Sequence, residues 1–532
     1  DSAGRMTQIK DESGNITNFG YDPQGNIVNL KFLFEDFDSE ITYEYDGFSM
    51  ISNTEYITSN GVSVNKAFQY EENALHRLQY IKLTIDSLDI KQSFTYSGAH
   101  SRIQDLSFDF ADNGTVEYKH SYIYDELGNI VQESYYERVS SVLTLKRKVY
   151  YEYDGLNQLV AEDIWVSSGT SYTNVYEYDS RGNRTANYRY QYEYRKTGAL
   201  IPPSAIINFG LTEVIPFYDS NIIYSQVKNV DVGGSSELTF TYQDSGSPGV
   251  FYGIPTTQLG GEVDSFQKGY YEVIYRATSS YFGIDVVFNV RFSVGNLATS
   301  AGTSTNYSTY VYDDEWLDQL ESYATIVNGV STNHVLTYDN QGNPTQITNV
   351  KYNGTNYTNA YLDWDGRRLS NIVFATGSTL SKKIEYQYND QGYRISKTFY
   401  NYGGSQTWLQ QNRITYELLG DKVVYETNGT YAMVFNYDYD GTLIGFTVDL
   451  DISDGFDGYD FFYIRNQQGD ITMIVDNEGT VNAQYQYDAY GELTVVYEST
   501  GGILSMLNPY YYRGYRYDWE IERYYLNSRY YD

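Results

Sequence analysis

Cysteine is absent from all 532 residues. Disulfide scaffolds, thiolate nucleophiles, iron–sulfur clusters and cysteine-type zinc sites are therefore excluded. Proline is scarce, at 8. The four histidines, His76, His100, His120 and His334, lie far apart without the spacing of a metal site. No apolar run approaches the roughly 20 residues that a membrane helix needs. No basic-then-apolar leader opens the chain. Its start, Asp1-Ser2-Ala3-Gly4-Arg5, reads as a turn caught mid-motif, as in an excised fragment. Basic residues are outnumbered, 36 Lys+Arg against 69 Asp+Glu, for a formal net charge of -33. That balance argues against nucleic-acid partners, which require a basic footprint over the phosphates, and against anionic membranes. The acidity keeps a Tyr-rich surface soluble; the sharper alternative is an acidic shell that holds a basic partner. Neither a Gly-x-Ser-x-Gly elbow nor a Walker loop occurs, and no cofactor is implied.

What the chain has instead is 63 Tyr and 45 Gly, ordered in a repeat. The unit is Tyr-x-Tyr-Asp-x-x-Gly-Asn followed by an apolar or β-branched residue. Clear copies place Asp22 with Gly25, Asp125 with Gly128, Asp179 with Gly182 and Asp339 with Gly342; looser ones sit at 43–47, 151–157, 386–392, 437–441 and 485–491. The Asp can accept a bond from its own backbone two residues on. The Gly accepts a left-handed conformation, and Asn tolerates one. The flanks alternate with period two and are rich in Tyr, Thr, Val and Ile. Each unit is thus predicted to be a β-hairpin with a short bulged loop. The array is an all-β, spiralling antiparallel sheet that must close or curl to protect its edges. About 435 residues at roughly 20–25 per unit predict about 18–22 hairpins. A mostly Tyr-lined inner face is wetter than a Leu/Val core, which fits a hollow shell.

Residues 199–296 carry no such turn. Pro202-Pro203 marks the entry, and 297–306 reads as a flexible linker. About 95 residues with several strand-like runs fit a β-sandwich. Gly269-Tyr270-Tyr271-Glu272-Val273-Ile274-Tyr275-Arg276-Ala277 resembles the G-x-Y-x-V-x-Y-x-A strand of bacterial immunoglobulin-like modules, with Tyr271 as a candidate corner tyrosine. The reading is an Ig-like domain inserted between a first repeat segment, 1–198, and a second, 307–460.

The last part, 461–532, contains Tyr487-Asp488-Ala489-Tyr490-Gly491, then Asn508-Pro509-Tyr510-Tyr511-Tyr512-Arg513-Gly514-Tyr515-Arg516-Tyr517-Asp518, and ends Tyr524-Tyr525-Leu526-Asn527-Ser528-Arg529-Tyr530-Tyr531-Asp532. This order resembles the Rhs-associated core of YD-repeat (Rhs) proteins, in the version of Gram-positive bacteria. The resemblance implies a secreted or cell-surface β-cocoon that encloses a variable C-terminal toxin domain. Its partners would be that toxin and a delivery or secretion partner. Teneurins, which act in adhesion, resemble the same shell. Three departures stand out. The family's Asp-x-Glu-Thr-Gly-Leu-Tyr-Tyr appears as Asp518-Trp519-Glu520-Ile521-Glu522-Arg523-Tyr524-Tyr525, so Glu522 replaces the turn glycine. Only Asp532 matches the region where an aspartyl self-cleavage occurs in other members, and a lone carboxylate has no partner with which to share a proton. The repeat count is also small.

Within that motif Arg513, Gly514, Asp518, Glu520, Tyr524, Arg529 and Asp532 are assigned a structural role, with Arg513, Arg529 and Asp518 as a salt-bridged plug on the last strands. No residue is assigned to catalysis or to a metal. The acidic run from Asp449 to Asp460 could hold Ca²⁺. However, Gly455 falls one place late for an EF-hand counted from Asp449 and no Glu closes the site, so a plain turn is the reading. The functional expectation is a non-catalytic toxin shell; its alternative is a surface adhesion protein that binds through the insert.

Overall fold

The computed structural model describes residues 1–191 and 306–532 except 11–13, 34–37, 74, 98–100, 126, 454–457, 500–503, 505–506, 528 and 532, and, between 225 and 295, the backbone of six strands. His100, Pro202-Pro203, linker residues 297–305 and Asp532 lie outside the described residues, as does the side chain of Tyr271.

The fold grows from the repeat turn. At Asp339 the backbone N–H bonds the Asn343 carbonyl at 2.9 Å, and the Gly342 N–H bonds the Asp339 carbonyl at 3.1 Å, with Gly342 at φ +81°. The Asp339 carboxylate accepts from the backbone N–H groups of Gln341 (2.8 Å) and Asn343 (2.9 Å) and from the Asn343 side chain (2.9 Å). The second proton of that Asn343 amide goes to the Gly366 carbonyl of the next turn on the same edge, at 2.8 Å. Asp22, Asp125 and Asp179 repeat the Asp–Asn clamp. These bonds from Asn343 hold Asp339 below the usual carboxylate range. Register shifts just before the turns, such as Thr337/Tyr338 and Glu177/Tyr178, supply the expected bulge.

Tyrosine joins one turn to the next. Along this edge the Tyr that ends a strand before its turn donates its hydroxyl to the carbonyl of the residue that leaves the preceding turn. Tyr45 reaches Ile27 (2.9 Å), Tyr96 reaches Leu78 (2.6 Å), and Tyr153 reaches Ile130 (3.0 Å). Further on, Tyr388 reaches Leu369 (2.8 Å), Tyr437 reaches Val423 (2.9 Å) and Tyr487 reaches Ile471 (2.7 Å). Trp364 takes the same place and donates its indole N–H to Pro344 at 2.7 Å. A ring that packs and a hydroxyl that satisfies a strand-end carbonyl explain why this position is aromatic and polar at once.

The resulting strands pair in sequence order into one antiparallel sheet of 31 strands, fewer than the 18–22 hairpins would supply. The units are longer than expected, with strands of up to 13 residues at Thr407–Leu419, and the last residues leave the sheet. Arg184–Gln191 pairs directly with Asn306–Tyr312, so the sheet runs on unbroken across 192–305. Within that interval Ser225–Asp231 lies parallel to Ile284–Gly295, which pairs with Gly269–Ser279, which pairs with Thr256–Gly260; Phe240–Gln243 and Phe251–Ile254 form a separate hairpin.

The sheet curls on itself. Inward side chains from 30–124, among them Ile41, Val64, Ile85 and Phe108, share one core with Met433, Phe446, Phe462, Ile474 and Tyr485. This part of the interior is packed with apolar side chains together with tyrosines such as Tyr43, Tyr56, Tyr122 and Tyr485, so it is less open than the sequence suggested. The cause lies in Ala432–Tyr437 and Leu443–Asp449, which are buried along their whole length. Such unalternating apolar runs mark strands covered on both faces. Their second face is covered in part by Ile452, which packs on Tyr425, Ala432 and Val434. Ile452, within the acidic run, therefore serves as a cover. Asp449 and Asp451 accept from backbone N–H groups of their own loop, and Asp460 accepts from Thr447 and Asn60; Asp454 and Asp457 lie outside the described residues.

The hydroxyl ladder carries two expectations. Tyr388→Phe should lower the stability of the sheet by about 1–2 kcal/mol in urea unfolding, the cost of an orphaned buried carbonyl. Tyr361→Phe, at an exposed ring, should leave it unchanged. Burial raises Tyr153 and Tyr338 from 10.0 to about 12. The folded state thus holds these protons more tightly than the unfolded one. Their stabilisation should be intact below pH 10 and lost as pH rises from 10 to 12. Tyrosinate absorbance and circular dichroism should change together across that window.

Candidate functional site: the docked C-terminal segment

After the last strand of the sheet, Leu493–Glu498, the chain returns to the inside of the curl. Asn508 to Tyr531 make a small unit of their own. Arg516–Asp518, Arg523–Tyr525 and Tyr530–Tyr531 form a three-stranded antiparallel sheet, preceded by a tight turn at Tyr512–Gly514. Arg513 and Gly514 are both left-handed in that turn. Glu522 is also left-handed, at φ +55°, at the position where the resemblance implies glycine. A residue with a Cβ is strained there by about 1 kcal/mol. The departure noted in the sequence thus falls on a left-handed, strained position.

Asp518 is the hub of the unit. Arg394, from the strand Arg394–Gly404, donates to both its carboxylate oxygens, at 2.7 and 3.0 Å, and Lys397 from the same strand donates to one of them at 3.1 Å. Asp518 and the Arg394 side chain are each about 1% exposed. Lys397 also pairs with Glu520 at 2.7 Å. The Tyr525 ring lies 4.0 Å from the Arg394 guanidinium, and the Tyr530 hydroxyl is 3.1 Å from its nitrogen. Burial alone would raise Asp518; the Arg394 and Lys397 charges outweigh it and hold the carboxyl well below the usual range. A second buried pair joins Arg516 to Glu426. Tyr512, Tyr524 and Tyr531 donate their hydroxyls to the carbonyls of Ala489, Gly491 and Tyr490. Ile521 enters the core of the strands at 347–386.

The plug expected from the sequence is therefore present around Asp518 and Glu520, with Tyr524 packed in it, but its cations differ. Arg513 is exposed and sits 3.7 Å from Asp470. Arg529 is exposed and makes no ion pair among the described residues. The left-handed turn carries Arg513 towards Asp470 instead of Asp518. Arg394 and Lys397 were not singled out in the sequence, where they look like ordinary polar positions of a strand.

A second constellation lies between this segment and the strands at 118–166. A cavity of about 390 Å³ is lined by His120, Glu133, Arg147, Asp470, Asp488 and Arg513, among others. His120 Nδ1 bonds Glu133 Oε1 at 3.0 Å, both side chains buried, and Nε2 has no partner among the described residues. Burial would raise Glu133, but His120 and Arg147 bring it below its ordinary value. Asp488 is raised to about 7 by burial and by the charge of Glu162, which accepts from the Ala489 N–H beside it. Such a dyad can orient an imidazole and move a proton. The aliphatic hydroxyl lining the cavity, that of Thr472, is bonded to the Ile464 carbonyl at 3.2 Å. No cluster of three or more metal-ligating residues occurs among the described residues, and none of their helices is long and apolar enough to cross a membrane.

Residues 1–31 match the family model for the RHS repeat. The tRNA3(Ser)-specific nuclease WapA of Bacillus spizizenii is 31% identical over 229 residues, a match that covers 37% of this chain and 9% of that protein. The tRNA nuclease WapA of Bacillus subtilis is 29% identical over 228 residues, with the same coverage. The chain thus spans about a tenth of the length of the curated relatives it matches. Among solved structures, TcdB2-TccC3 without its hypervariable C-terminal region aligns with 100% of this chain and 29% of its own, at 13% identity and a TM-score of 0.29. That likeness is too low to bear on the arrangement of this chain.

If Asp518 holds the segment in place, Asp518→Asn should lower the melting temperature markedly. It leaves Arg394 and Lys397 as buried charges without their main counter-ion, a loss of roughly 3–5 kcal/mol. Arg529→Ala should leave it nearly unchanged. The reverse order of effects would show that the lock lies elsewhere.

Proposed function

We propose that this RHS-repeat chain is the non-catalytic shell of a secreted bacterial polymorphic toxin, and that it encloses and delivers a toxin domain joined after residue 532. The observation that carries the reading is the docking of the terminal segment against the inner face of the sheet. Tyr530 packs beside Arg394, and the Tyr531 hydroxyl bonds the Tyr490 carbonyl at 2.7 Å. A domain that follows would start from within the curl. The repeat itself and the nuclease relatives, with their much greater length, agree with a shell that serves a separate activity. In this reading the acidic wall complements a basic passenger. The shell supplies containment, and any self-cleavage would need residues beyond Asp532.

The division proposed is 1–198 and 307–460 for the two parts of the shell, 199–296 for an immunoglobulin-like insert and 461–532 for the terminal core. The strands Ser225–Asp231, Ile284–Gly295, Gly269–Ser279 and Thr256–Gly260, in that order in one sheet, with Phe240–Gln243 and Phe251–Ile254 paired apart from it, support a separate all-β module. The pairing of Arg184–Gln191 with Asn306–Tyr312 favours a second role for it, since the shell is continuous without the insert. Adhesion through that module is the alternative function, and binding of isolated 199–296 to cell-wall material would favour it.

Containment is tested by limited proteolysis of the chain with its natural continuation. The passenger should survive protease that digests it when free, and Asp518→Asn should make it sensitive. Equal digestion of enclosed and free passenger would overturn the reading.

A further inference from the structure

We propose that the cavity between the terminal segment and the strands at 422–465 is a binding site for a tetrahedral oxyanion, inorganic phosphate or a phosphate monoester. Its volume is about 500 Å³, within the roughly 300–1,000 Å³ of small-molecule sites. Lys422, Arg465, Arg513, Arg516 and Arg529 all line it, against one lining carboxylate, Asp421. In a chain of net charge -33, this is a marked reversal of sign.

The key group is Arg465. Its Nε and Nη2 are shut off from solvent and donate to no acceptor among the described residues. It makes no ion pair among them either; Asp440 acts on it only at longer range, and burial depresses its basicity. Arg516 is 8% exposed; it spends Nη2 on Glu426, lies 4.7 Å from the Tyr416 ring centre, and leaves Nε and Nη1 without hydrogen-bond partners. Two arginines, one with no ion pair among the described residues, thus line one cavity. Even with Asp421, Glu426 and Asp470 set against the five cations, positive charge remains. A buried charge without a counter-ion costs several kcal/mol. Orphaned buried donors add to that cost. An oxyanion in the cavity supplies the missing counter-charge, and the guanidinium fork matches phosphate in geometry.

The surroundings suit a ligand that enters from solvent. Arg513, Tyr515 and Arg529 are exposed and line the same space, so they form its rim. Gly514 lies over Arg465, where a Cβ would come within 3.6 Å of Nη1. This gives Arg529 a place that ion pairing does not, as a gate charge that draws an anion in. It also explains why a terminal motif already anchored by Asp518 carries further arginines. The site stands independently of the toxin-shell reading.

Calorimetric titration of the whole chain with inorganic phosphate and with glycerol phosphate, at ionic strength fixed with chloride, tests it. Saturable binding is expected for the wild type. Arg465→Gln should weaken it about tenfold or more, the worth of charge-assisted hydrogen bonds. Because that change removes an uncompensated buried charge, it should not lower the melting temperature in phosphate-free buffer. Arg529→Gln should keep binding but reduce its dependence on salt. Tighter binding of the ester assigns a phosphorylated metabolite; equal or weaker binding assigns the free anion. No saturable heat up to about 10 mM of either probe would overturn the proposal. So would equal affinity in wild type and Arg465→Gln.

Discussion

A single carboxylate, Asp518, ties the end of the chain to its middle. Arg394 grips both of its oxygens, and Lys397 bridges it to Glu520, all within one shielded cluster. Buried ion pairs of this kind add little net stability over an apolar filling, but a broken one is expensive. Their value is positional. The cluster admits one register between the terminal segment and the strand at 394–404. Ile521, Tyr524 and Tyr525 then fall where the curled sheet leaves room for them. A sheet of 31 strands has no intrinsic reason to stop curling at a given radius; a fixed object on its inner face supplies one.

The sheet meets that constraint with small, repeated parts. The Asp–Asn clamp sets each turn, and the Asn side chain at Asn183 and Asn343 reaches on to the next. The Tyr hydroxyls run parallel to these contacts and satisfy carbonyls that bulged strand ends leave exposed to the interior. Each bond is worth about 1 kcal/mol. Repeated along the edge, they make neighbouring hairpins interdependent, as in other repeat architectures. The terminal segment uses the same device. Tyr512, Tyr524 and Tyr531 bond carbonyls of the last turn, so it docks as one more layer of the ladder.

Much of this was readable from residues close together in sequence. The turns at Asp22, Asp125, Asp179 and Asp339 follow from contacts over three and four positions, which local chemistry determines. The place of Glu522 in a strained turn was readable for the same reason. The filled core had a signal too, in the unalternating Ala432–Tyr437 and Leu443–Asp449, though alternation elsewhere drew attention to a Tyr-lined face. Distance hid the rest. Arg394 lies 124 residues from Asp518, and nothing in its own strand marks it. His120 and Glu133 meet only because two strands pair in one register. Arg465 looks like any strand-end arginine until the terminal segment closes over it.

The terminal segment acts as an internal pillar on which distant parts of the sheet depend. Hydrogen–deuterium exchange on the chain with and without residues 508–532 measures that dependence directly. Amides in the strands at 394–404, 422–427 and 459–487 should lose protection together. Loss confined to the immediate neighbours of Asp518, or no loss at all, would contradict it and leave the sheet self-supporting.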